Sequence, residues 1–108
     1  MSGVIHEFYY VVGCRDFHSW YRLIVDKETE KMLYGRVFDS ASVDCGRFAV
    51  KKSNIDDIHE ICDAKRGSVY RVQIDGSDFT SARNKAKDII YKHLIKIAEK
   101  FKAYEEEV

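Results

Sequence analysis

The chain has no proline, only six glycines, no low-complexity tract and no internal repeat. Turns must therefore be located from glycine, Asn, Asp and Ser clusters rather than from proline punctuation. It also lacks net charge: 18 basic residues balance 18 acidic ones, while hydrophobic residues make up 45% of the chain. That combination excludes a disordered chain and argues against a uniformly basic nucleic-acid-binding domain. No apolar run reaches spanning length. The opening "MSGVIHEFYYVVG" has no basic segment before its short apolar stretch, which His6 and Glu7 interrupt, so neither a signal peptide nor a membrane span is expected. Cysteine is scarce: Cys14, Cys45 and Cys62 are odd in number and widely spaced. A chain of 108 residues can build a core without bridges, so reduced thiols in a cytoplasm are expected. Also missing are a Gly-rich phosphate loop, His-Glu-x-x-His, Gly-x-Ser-x-Gly and an acidic calcium loop. No cofactor is expected.

What is present reads as one α+β domain over residues 1–108, with 105–108 as a frayed acidic tail. "VIHEFYYVV" (4–12) is β-branched and aromatic on both alternating faces, as an interior strand requires. "WYRLIVD" (20–26) and "KMLYGRVF" (31–38) flank a polar stretch and form a hairpin, and Gly35 marks a bulge or the close approach of another backbone. "DSASVDCG" (39–46) is a loop and "RFAVKK" (47–52) a fourth strand. "IDDIHEICDAK" is then expected to be a helix, with Asp56 and Asp57 in its first turn, Ile55, Ile58, Ile61 and Cys62 inward, and Gly67 past its end. "SVYRVQID" (68–75) returns to a period of two, grouping Tyr70, Val72 and Ile74, and is free to pair in parallel with an earlier strand.

The C-terminal segment carries the strongest periodicity. Ser77, Asp78 and Thr80 are competent caps, after which Phe79, Ala82, Ala86, Ile89, Ile90, Leu94, Ile97, Phe101 and Tyr104 fall in one stripe. Such a helix spans about 35 to 40 Å and must overhang any sheet it crosses. The fold expected is thus a four- to five-stranded, mainly antiparallel sheet in the order β-β-β-β-α-β-α, with a long C-terminal helix packed across one face.

Two features of that helix point to function. Residues 83–102 hold seven basic residues against two acids, and Lys85, Lys92 and Lys96 share the side opposite the apolar stripe. Lysine is an ordinary solvent-side helix former, so the plain reading is a hydrated face; the sharper one is contact with nucleic-acid phosphates. The second feature is a seam of Tyr91, Ile95 and Ala98 at i, i+4, i+7, outside the main stripe, which a helix lying on a sheet does not need. It suits contact with another protein or a second copy, and Trp20 at a strand start is a candidate to enlarge it.

Cys14 and His18, with His59 and Cys62, offer two short pairs of the kind zinc takes, although structural sites favour Cys-x2-Cys knuckles. The same Cys14 and His18, with Asp16, suggest a thiol enzyme, but real triads draw on distant segments. His93 lies in the apolar stripe and reads as an imidazole at the core edge. The function expected is a small non-catalytic binding domain, of adaptor or inhibitor type and capable of homodimerising. A nucleic-acid binder is the alternative and a cysteine-dependent enzyme the last choice.

Overall fold

A computed structural model describes residues 3–65 and 67–107, with residues 63 and 103–107 described in backbone alone. Six strands form one antiparallel sheet: β1 (Val4–Val11), β2 (Ser19–Glu28), β3 (Met32–Asp39), β4 (Asp44–Lys51), β5 (Ile58–Asp63) and β6 (Gly67–Asp75). Helix α1 (Phe79–Glu107) follows, the single α-helix among the described residues. The spatial order is β4-β3-β2-β1-β6-β5. β1 pairs with both β2 and β6 and so lies inside the sheet, as its β-branched and aromatic content suggested.

The fold class holds as α+β, but two details are corrected. The sheet has six strands, because residues 58–63, expected in a helix, pair with β6 from Ile58↔Val72 to Asp63↔Gly67. Asp56 stands at φ 63, a left-handed conformation that stops a helix from starting there. Only a 3-10 turn at Lys52–Asn54 precedes it. β6 accordingly joins its neighbours antiparallel, and the parallel contact recorded is the isolated bridge Ile55↔Gln73. The hairpin of β2 and β3 forms as expected.

The connection from β4 to β5 dictates the shape of the sheet. In a flat sheet the two edge strands would lie about 24 Å apart, five spacings of roughly 4.8 Å. The seven steps from Lys51 to Ile58 would reach about 24 Å only if fully extended, and the 3-10 turn at Lys52–Asn54 shortens them well below that. The sheet must therefore curl until its edges converge at this end, and the Asp56 amide donates to the Gln73 carbonyl at 2.8 Å as the chain crosses. Two register shifts, at Val25/Lys27 and Arg36/Phe38, supply local bending. Gly35 stands at the first: a Cβ there would lie 1.9 Å from the Ile24 carbonyl oxygen, so the sequence signal was a close backbone approach.

Curling gives the sheet two unlike faces. On the convex face Phe8, Phe17, Val72 and Ile74 pack against Ala82, Ala86 and Ile90 of α1. The concave face closes on itself at one end through Ile5, Leu23, Leu33 and Val50, with Val25, Val37 and Ile55 beside them. Above that apolar floor the half-barrel stays open as a cup of about 530 Å³.

Candidate functional site

Helix α1 begins where the sequence allowed. Of the three candidate caps, Asp78 takes the role: its carboxylate accepts from the Ser81 amide and hydroxyl, bonds that hold its pKa below the usual carboxylate value. Phe79 then packs its ring near those of His6, Phe8 and Trp20. Over the next four turns the stripe is spaced by small residues, Ala82 and Ala86, which let the helix sit close to β1 and β6. His93, half-buried, meets the Tyr70 ring edge-on with centroids 5.0 Å apart.

Beyond Leu94 the helix leaves the sheet. Its 29 residues span about 43 Å, and every residue from Ile95 to Lys102 is exposed. Ile97 and Phe101, which continue the core stripe, are 43% and 62% exposed, and Tyr91 is 65% exposed. At 100° per residue Ile97, Phe101, Leu94, Ala98, Tyr91 and Ile95 fall in a sector of roughly 160°, into which Lys102 also projects near its edge. The seam and the main stripe thus merge on the overhang into one apolar surface. Next to Tyr91 lies a depression of about 250 Å³ whose lining includes Tyr10, Phe17, Ile90 and Leu94. Tyr104 falls outside the residues whose side chains are described, as does the acidic tail expected at 105–108; the helical backbone itself runs to Glu107.

The structure brings Tyr91, Ile95 and Ala98 together but not Trp20, which lies beside Phe79 at the other end of α1, about 18 Å of helix away. The lysines separate too. Lys85 bonds Asp56 at 2.9 Å and Lys92 bonds Asp88 at 2.9 Å, while Lys96 is exposed on the overhang. Arg83 and Lys87 both meet Asp16. Four of the seven basic residues at 83–102 therefore meet an acid, with Arg83 and Lys87 sharing Asp16. No family model, curated protein or solved structure matches this chain.

Cys14, Cys45 and Cys62 are all exposed free thiols. Among the described residues no group of three His, Cys, Asp or Glu side chains converges as a metal site would require. Asp16 does not support a Cys14–His18 couple: its carboxylate accepts from the Phe17 amide and faces Arg83 and Lys87, which together hold its pKa down. Among the described residues no helix is long and apolar enough to cross a membrane.

Sequence reasoning missed the wall of the cup. Register places Tyr21, Glu7 and Gln73 in one row across β2, β1 and β6, and Ser19, Tyr9, Arg71 and His59 in the next. Glu7 accepts from the Tyr9 hydroxyl through one carboxylate oxygen and from the Gln73 amide nitrogen, at 2.6 Å, through the other. Burial, reinforced by Glu7, pushes the Tyr9 hydroxyl well above its ordinary pKa. The signal was available: Glu7 and Tyr9 on β1, and Arg71 and Gln73 on β6, are polar at a period of two opposite the face that packs on α1.

Proposed function

We propose that this chain is a non-catalytic binding domain of adaptor or inhibitor type that acts as a homodimer, joined through the overhanging half of α1. The observation that carries this reading is the stretch Ile95–Lys102, exposed throughout although Ile95, Ile97 and Phe101 lie within it. A solvated helix end would be polar all round, whereas this one presents a wide apolar sector of the kind that marks association.

A second copy is the occupant that the charge pattern fits. Residues 83–102 carry a net charge of +5 and are followed by three glutamates at 105–107. Crossing two overhangs antiparallel about a twofold axis near Ile97 sets the acidic stretch 105–107 of one copy level with Lys87 of the other, a self-complementary contact. The same crossing brings Phe101 of one copy level with the depression beside Tyr91 of the other. The helices then pack at the usual 8 to 10 Å between axes.

Sedimentation of the intact chain tests this. The wild type is expected at twice the 12.6 kDa of one chain and Ile95→Asp at the single mass. Equal masses for the two proteins, with no partner captured by either, would remove the reading.

A further inference from the structure

We infer that the concave cup is a binding site for a small, uncharged, flat molecule carrying one hydrogen-bond donor and one acceptor, the chemistry of an aromatic amide. The cup has the form such sites take: an apolar floor of Ile5, Leu23 and Val50, a few polar groups on one wall, and a volume of about 530 Å³ within the usual range for ligand sites. It stays open because the two faces of the sheet are closed differently, one by α1 and the other only by curvature.

The polar wall defines what would complete it. Both oxygens of Glu7 already accept hydrogen bonds, and the one from Gln73 fixes the orientation of that amide, turning its nitrogen toward the carboxylate. Gln73 is only 4% exposed, yet its Oε1 has no partner in the protein, and neither does the buried Nε of Arg71. Both residues line the cup. A buried polar atom left unpaired is unfavourable by an amount comparable to a lost hydrogen bond, so an orphaned acceptor two residues from an orphaned donor on one strand asks for a ligand that supplies both.

Charge selects among such ligands. Glu7 and Arg71 are oppositely charged and lie on adjacent strands, so the wall has no net charge; an anion drawn to Arg71 meets Glu7, and a cation meets the reverse. A neutral ligand meets neither penalty. Tyr9 and Tyr21, in edge-to-face contact with centroids 5.7 Å apart, and Phe48 at the rim provide surfaces for a flat ring.

Titration of the intact chain, followed by the NMR signals of the Gln73 side-chain amide and the Arg71 Nε–H, tests the site with benzamide, benzoate and benzamidine as probes. Benzamide is expected to move both signals saturably, with a dissociation constant on the order of millimolar for a probe of that size. Gln73→Met and Arg71→Lys should each weaken it about 10-fold. If Gln73→Met fails to fold, Arg71→Lys, which keeps the charge but removes Nε, decides alone. Absence of saturable shifts would mean that water alone fills the cup, and benzoate or benzamidine binding as tightly as benzamide would refute the neutral class; either result overturns the proposal.

Discussion

The two halves of α1 carry the same apolar rhythm and meet different fates. From Phe79 to Leu94 the stripe closes over β1 and β6, with Ala82, Ala86 and Ile90 buried; from Ile95 to Lys102 the same rhythm continues in the open. Periodicity thus reports that a helix face will be covered, not by what. The first half is covered by its own sheet, and the second is left exposed.

Substitution by aspartate breaks the comparison most sharply. Ile90→Asp places a charge in the core and should destabilise the fold by about 4 kcal/mol or more, whereas Ile97→Asp should change the stability of the dilute chain by less than about 0.5 kcal/mol; urea melts of both variants check this. Enlarging an alanine sharpens it further. Ala86→Leu, at a fully buried contact with the sheet, should lose roughly 2 kcal/mol through overpacking, while Ala98→Leu should be neutral or favourable, as thermal melts would show.

The N-terminal end of the helix also adds a pH dependence. His6 lies buried near Phe79, and burial lowers its pKa below the ordinary 6.5, opposed by the Gly76 backbone bond and Asp78 and assisted by Arg22. A depressed histidine favours the unfolded chain once that chain begins to protonate, so stability should be full above about pH 6.5 and decline as pH falls toward the folded pKa. His6→Leu should flatten that part of a pH-dependent urea series. The smallest effect expected is at the exposed Lys92–Asp88 pair: Asp88→Asn should change stability by no more than about 0.5 kcal/mol and less still in high salt, measured by melts at two ionic strengths.

Much of this architecture was legible in the residues. β-Branched and aromatic runs marked β1, β2, β3, β6 and the latter part of β4, whose start at 44–46 reads as loop by composition, and Gly35 marked the close approach of β2 to β3. Residues 55–65 misled because Ile55, Ile58 and Cys62 repeat at helical spacing, although pairing with β6 governs them and Asp56 adopts a left-handed conformation. The cup was hidden for a different reason. It arises from the curl that the short β4–β5 connection imposes, and only after curling does the row of Glu7, Tyr9, Arg71 and Gln73 share a cavity with Phe48 and Val50 of β4. The overhang could be foreseen from helix length, and the seam of Tyr91, Ile95 and Ala98 was visible, but its union with Ile97 and Phe101 required knowing where the sheet ends.

Amide hydrogen exchange over residues 95–102, measured across protein concentrations, probes the central claim directly. A helix end held by a second copy should gain protection as concentration rises, while residues 82–90 stay protected throughout. Exchange over 95–102 that is equally fast at every concentration would contradict it.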